Sequence, residues 1–203
     1  MGSPSRRLRR AHGVLAVIAI AGTVGLAARV TADSQAIDAG RSTITVFVDK
    51  SGLFSAFADD HIIHAPIRSG RLSLDPPLAV DISIASAALE VLDPKLEPAK
   101  RAEVQQRMLG PEVLDASRFP DITFASTTVT PSGPERWTVT GRLTIHGRST
   151  EITFPVVRAN GRFTGAVAIR QRDFGIRPIS IAGGTVKVKD EVRIQFEIVP
   201  GGS

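Results

Sequence analysis

The sequence predicts an all-β domain, an eight-stranded antiparallel barrel with one helix inserted between the third and fourth strands. Three observations carry this. From Ser42 onward, short segments alternate apolar with polar residues. The stretches between them are short and built from Gly, Pro, Asp and Ser, the residues that reverse a chain tightly. The apolar positions of each segment fall on one side, so closing the sheet would enclose one continuous apolar face and remove both unpaired edges.

The elements follow in order. Arg6, Arg7, Arg9 and Arg10 precede an uncharged, mostly apolar run from Gly13 to Ala28, and Val30-Thr31-Ala32 then supplies small residues. That order is a secretory signal peptide, and the run is short against the about 20 residues a membrane span needs. Cleavage after Ala32 is predicted, with an uncleaved membrane anchor as the alternative. Ser5-Arg6-Arg7-Leu8 hints weakly at a twin-arginine signal. Residues 1–32 are thus assigned to export, residues 33–203 to one domain with a single core, and the location is periplasmic or secreted.

The first strand is expected at Ser42 to Lys50, with Ile44, Val46 and Val48 on one side. Ile67 to Asp75 and Ala79 to Leu89 follow, joined through Asp75-Pro76-Pro77, the latter strand aligning Val80, Ile82 and Ile84. Glu97-Pro98 then starts a helix and Gly110-Pro111 stops it. Arg101, Val104, Gln105 and Met108 share a side of that helix, a narrow apolar face, and a second helical turn is expected around Glu112 to Ala116. Asp121 to Val129, a Pro131-Ser132-Gly133-Pro134 turn and Arg136 to Ile145 come next. The His146-Gly147-Arg148 turn leads to Ser149 to Arg158, and Asn160-Gly161 leads to Arg162 to Arg170. Glu191 to Val199 is the last strand, with Val192, Ile194, Phe196 and Ile198 aligned. Val139, Phe154 and Val167 fall on the same inner side, as do Gly141 and Gly165, which are expected to leave room for a lumen.

Charge excludes some functions. The chain has 25 Lys plus Arg against 20 Asp plus Glu, a net charge of +5. Arg6, Arg7, Arg9, Arg10 and Arg29 account for the whole excess, so the domain has no net charge to offer a nucleic acid. The absence of cysteine excludes disulfides, thiolate metal sites and a cysteine nucleophile.

Three motifs invite chemistry. Asp59, Asp60, His61 and His64 suggest a metal, but His61 and His64 are three apart, which puts them on opposite faces of a strand. The competing reading is a loop closing a barrel mouth. His146 has no G-x-S-x-G nucleophile to serve and reads as a hairpin residue beside Gly147. Asp173-Phe174-Gly175 matches a kinase tripeptide without the rest of a kinase, so Phe174 reads as a plug and Gly175 as the turn after it. No catalytic constellation emerges.

Several segments together resemble the YceI-like family. They are Gly52-Leu53-Phe54-Ser55-Ala56-Phe57, the helix leading to Phe119-Pro120-Asp121-Ile122-Thr123-Phe124-Ala125-Ser126, Gly141-x-Leu143-Thr144-Ile145-His146-Gly147, Arg172-Asp173-Phe174-Gly175-Ile176 and Asp190-Glu191-Val192. The resemblance implies a lipocalin-like eight-stranded barrel, usually periplasmic, whose apolar lumen binds polyisoprenoid or similar amphiphilic lipids. Asp59-Asp60-His61 and the insert around Pro94 to Gly110 depart from the family pattern and bear on ligand identity.

The expected function is therefore non-enzymatic binding of a long-chain isoprenoid-like lipid or quinone, with no other cofactor and no nucleic acid. Transient membrane contact and a homodimer are left open. Phe54, Phe57, Met108, Val139, Phe154, Val167 and Phe174 are expected to meet the ligand's chain, and Asp59, Asp60, His61 and Arg172 its head. The rivals are a metal protein or enzyme using His61, His64 and nearby acids, and a solid-cored module that binds a protein through its loops.

Overall fold

A computed structural model describes residues 34–51, 61–181 and 186–202, together with Gly2. The export segment and the expected contacts Phe54, Phe57, Asp59 and Asp60 lie outside the described residues. The strands are β1 (Ser34–Ala36), β2 (Thr43–Val48), β3 (Lys50–Ser51), β4 (His61–His64), β5 (Ile67–Ser73), β6 (Ala79–Ala85) and β7 (Glu90–Val91). Helix α1 (Pro98–Leu109) precedes β8 (Asp121–Gly133), β9 (Arg136–Ile145), β10 (Arg148–Ala159), β11 (Arg162–Arg170), β12 (Ser180–Ile181), β13 (Val186–Val188) and β14 (Glu191–Ile198).

Among the described residues the domain is all-β with one α-helix, and every strand pairing is antiparallel. Eleven strands form one curled sheet in the order β1-β5-β6-β8-β9-β10-β11-β14-β2-β4-β7, and β12-β13-β3 form a small second one. Eight of these strands coincide with the eight alternating segments. The larger count comes from two- to four-residue pieces, too short to carry a periodicity.

Turn chemistry sets the register. His146 (φ 51°) and Gly147 (φ 71°) reverse the chain between β9 and β10, and Asn160 (φ 50°) and Gly161 (φ 75°) do so between β10 and β11. Positive φ at both central residues gives the turn twist that matches paired strands. The expected Pro131 to Pro134 turn is displaced: β8 continues to Gly133, and the chain reverses at Pro134-Glu135.

Helix α1 begins and ends as its sequence predicts, with Pro98 in the first turn and Gly110 after the last. Its narrow apolar face has a physical reason. Gln105 uses its amide to finish the β7 edge, Oε1 accepting from the Val91 N–H at 2.7 Å and Nε2 donating to the Leu89 carbonyl at 2.7 Å. Met108, one turn on, is buried. The stretch Glu112 to Ala116 forms hydrogen-bonded turns instead of the expected helical turn.

Gly141 and Gly165 do not open the interior. A Cβ on Gly141 would lie 2.5 Å from the Phe124 ring, and one on Gly165 would lie 2.4 Å from the Phe196 ring. Each glycine seats an aromatic ring from the neighbouring strand, as the Gly165–Phe196 pairing of β11 with β14 requires. The Phe124, Phe154 and Phe196 rings then form a chain, the first pair tilted and the second edge-on, with centroids 5.5 and 5.4 Å apart.

Segment 34–38 ties the sheet to its last strand. Ile37 N–H donates to Gly70, Asp38 N–H donates to the Val199 carbonyl, and Gly201 N–H donates to the Ala36 carbonyl.

Candidate functional site

The register places the two ends of the sheet. At one end lie the reversals between Ser73 and Ala79, Gly133 and Arg136, and Ala159 and Arg162. At the other lie the His146-Gly147 turn, Val48 paired with His61, and Arg170 paired with Glu191. The two ends differ in closure.

Within the curl is a cavity of about 320 Å³. The inward residues expected on six strands all line it, including Val139, Phe154 and Val167. Apart from the indole of Trp137, only Ser73, Thr123, Arg158 and Gln171 bring polar side chains to its lining among the described residues. Two of these are committed elsewhere: Ser73 Oγ donates to the Asp75 carbonyl at 2.9 Å, and Gln171 Nε2 donates to the Lys189 carbonyl at 2.8 Å.

The His146 end is sealed by large apolar groups. Phe174, 1% exposed, and buried Met108 and Leu114 line the cavity there. Phe174 reaches inward because Gln171–Phe174 forms a 3-10 turn that Gly175 ends at φ 76°, a left-handed conformation where a side chain would be strained. Thus the expected plug and its turn glycine are both in place.

The opposite end is looser. Leu78, Val129, Trp137 and Phe163 line the cavity but are only half-buried. Trp137 and Phe163 have ring centroids 5.7 Å apart, and the Arg158 guanidinium carbon sits 5.5 Å from the Phe163 ring. Arg158 Nε is 3.7 Å from Glu135, a long contact, and no ion pair of its terminal nitrogens is found among the described residues. It is the only charged residue lining the cavity among the described residues. Its role is hidden in sequence, where it reads as the polar end of a strand; the signal that could have found it is its place two residues after inward Val156.

Of the residues expected to meet a polar head, the two that are described, His61 and Arg172, do not line this cavity. His61 Nδ1 lies 2.5 Å from Asp93 Oδ2, while Asp93 Oδ1 accepts from the Ile62 N–H at 2.7 Å. Asp93 is 4% exposed, so this pair anchors β4 to the chain before α1. Arg172 is exposed on the outer side of the 3-10 turn, with Nε 3.9 Å from Asp190 Oδ2. His61 and His64 stand at opposite ends of four-residue β4, across from Val48 and Thr45. Among the described residues no three His, Asp or Glu side chains gather as a metal site.

His146 is a turn residue. Its ring centroid lies 4.4 Å from that of Phe119, and its Nδ1 is buried without a hydrogen-bond partner.

Known proteins share this architecture. The BcnA structure from Burkholderia cenocepacia superposes with TM-score 0.62 at 21% identity, covering 80% of this chain and 98% of BcnA. A polyisoprenoid binding domain from Saccharophagus degradans, implicated in plant cell wall breakdown, gives TM-score 0.56 at 14% identity, covering 83% of this chain and 98% of that one. Likeness at these identities is one of fold. In sequence, a UPF0312 protein of Pseudomonas putida is 27% identical over 145 residues, 64% of this chain and 75% of its own length. A UPF0312 protein of Vibrio cholerae is 26% identical over 136 residues, 62% of this chain and 68% of its own. The YceI-like domain profile matches residues 20–199, nearly the whole chain, and the chain belongs to the YceI-like family.

Proposed function

We propose that this chain is a non-enzymatic binding protein that holds a long-chain isoprenoid-like lipid, or a lipid-tailed quinone, in its cavity, with the polar head at the Trp137–Arg158–Phe163 mouth. The observation that carries this reading is the lining: an apolar cavity whose only charged side chain among the described residues stands at its looser end. The polyisoprenoid-binding domain of Saccharophagus degradans is consistent with it.

The finer architecture belongs to the same proposal. Only Ala65 and Pro66 separate β4 from β5, and the Ala65 N–H donates to the Ile44 carbonyl of β2. Taken as one bent strand, β4–β5 pairs with β2 through its first half and with β6 through its second. Followed through β6, β8, β9, β10, β11 and β14, the pairing then returns to β2, an eight-membered ring enclosing a lumen.

Volume and energy decide where the head goes. Each methylene moved from water into the 320 Å³ cavity contributes about 0.8 kcal/mol. Ten buried methylenes contribute roughly 8 kcal/mol, comparable with the roughly 4–15 kcal/mol that association costs. A short chain therefore binds poorly. A longer chain that runs to the looser end of the cavity lies against Leu78, Trp137 and Phe163, which brings its head to the Arg158 guanidinium. Because Glu135 offsets part of the Arg158 charge, a carbonyl or singly charged head suits this mouth better than a diphosphate.

Export through the segment carrying Arg6, Arg7, Arg9 and Arg10 is part of the proposal, tested by fractionation and N-terminal sequencing of the mature protein. The ligand is tested by mass spectrometry of organic extracts from protein purified out of its native host. A recurrent long-chain lipid at near-stoichiometric amount is the expected result; extracts repeatedly free of lipid would overturn the proposal. Arg158→Gln is expected to lower retention of that lipid without changing the fold.

A further inference from the structure

We propose that Arg148, Arg172 and Arg177 form a binding site for a phosphate group on the outer surface of the Gln171–Ile176 loop, at the end opposite the mouth. The three arginines line one open concavity with Gly175, Ile176 and Pro178. The three arginines do not line the cavity, with which this concavity shares only Ile176, and the site does not rest on the lipid proposal.

The backbone positions of these arginines are each constrained. Arg148 opens β10 directly after the His146-Gly147 reversal. Its side chain occupies the space a residue larger than glycine would take at 175: Nε lies 2.6 Å and Cζ 2.9 Å from where a Gly175 Cβ would stand. Arg172 is fixed through its own N–H, which donates to Asp190 Oδ1 at 3.0 Å. Arg177 precedes Pro178, which restricts its backbone to extended conformations.

The charge is not balanced by neighbours. Asp190 approaches the Arg172 guanidinium only to 3.9 Å. Asp173, on the same turn, makes no ion pair among the described residues, and neither do Arg148 and Arg177. Nearby Lys189 is engaged with Asp49. Among the described residues, two guanidinium groups therefore face one concavity with no carboxylate at ion-pairing distance, an arrangement that an incoming anion relieves. A planar guanidinium presents paired donors, and a phosphate has enough terminal oxygens to accept from more than one such fork, whereas a carboxylate fills one. The phosphate has two natural sources, a free phosphate or phosphomonoester in solution and the phosphodiester head groups of an anionic bilayer.

The test uses the mature protein, the triple variant Arg148→Gln/Arg172→Gln/Arg177→Gln, and Arg142→Gln, an exposed strand arginine outside the concavity, as control. Calorimetric titration with inorganic phosphate, against chloride at equal ionic strength, reads the free-anion source. Co-sedimentation with vesicles of phosphatidylcholine, alone or with phosphatidylglycerol, reads the bilayer source. The proposal expects binding in at least one arm, weakened about tenfold or more in the triple variant and unchanged in Arg142→Gln. Circular dichroism checks folding, and the single Arg148→Lys and Arg177→Lys variants, which keep charge but lose the fork, are expected to weaken phosphate binding partially. Wild-type protein that binds in neither arm, or a folded triple variant that binds as wild type does, would overturn it. Retention of the cavity lipid by the triple variant separates this result from the lipid proposal.

Discussion

Gly165→Ala asks one methyl group to fit where the structure has no room. The new Cβ would stand 2.4 Å from Phe196 Cζ and 2.6 Å from the Pro155 carbonyl oxygen. Ordinary carbon–oxygen contacts are about 3.3–3.6 Å, so the carbonyl overlap is roughly 0.7–1 Å. The carbonyl belongs to β10, paired on both sides, and cannot retreat alone. The Phe196 ring can move, but it already lines the cavity, so its escape is inward, into the 320 Å³ that a ligand needs. Overpacking of this kind costs about 1–3 kcal/mol. At about 2–4 °C per kcal/mol for a domain of this size, the melting temperature should fall by about 2–12 °C. Lipid retention should fall with it, because part of the cavity is now filled. Thermal denaturation by circular dichroism and mass spectrometry of the extracted ligand read the two effects. Ala168→Val, on the exposed face of the same strand, should change stability by less than about 0.5 kcal/mol. A Gly165→Ala protein that melts with wild type and retains the same lipid load would refute the wedge argument.

Other outcomes follow from the same geometry. Val139→Asp and Val167→Asp place a carboxylate on the cavity wall with no partner; each should abolish lipid retention or unfold the domain, and a folded double variant that still binds would mean the inward and outward faces are exchanged. Asp93→Ala removes the acceptor of the Ile62 N–H along with the partner of His61, which should cost about 1–3 kcal/mol in urea denaturation, with Asp93→Asn milder. Gln105→Ala leaves the Val91 N–H and Leu89 carbonyl unmatched; hydrogen exchange at Val91 should accelerate while that of β9 and β10 stays slow.

Much of this architecture is legible because alternation is a local signal. Ile44, Val46 and Val48, or Ile152, Phe154 and Val156, declare their side of a strand without reference to anything distant, and all of them line the cavity. Turn residues such as Asn160-Gly161 are equally local. What depends on a partner far along the chain is not legible. Gly141 and Gly165 look like vacancies until the pairing shows which aromatic ring covers each. His61 and Asp93 are 32 residues apart, and nothing near either one announces the other. Arg158 and Arg172 look alike in sequence as arginines near strand ends; the reach of β10 beyond Val156 puts the first at the mouth, while a 3-10 turn puts the second outside. The two- and three-residue strands β3, β7, β12 and β13 exist only because a neighbour supplies hydrogen bonds.

The lacing of residues 36–38 to residues 199–201 bears on the order of events in folding. Ile37 bridges Pro200, and Thr43 lies opposite Glu197, so although β1 pairs with β5 and β2 with β4, the second edge of β2 and the segment after β1 find their partners only among the last residues. Loop closure across nearly the entire domain must come before those contacts return any stability. The hairpins from β8 to β11 can form early, since each closes through a turn of two or so residues, while one edge of β2 waits for β14. A chain still emerging from the ribosome or a translocation pore would hold that edge of β2 unpaired until Glu191–Ile198 follows, and would complete its sheet in one late step. Pulsed hydrogen exchange should therefore protect Thr140 and Val156 well before Ile44 and Asp38.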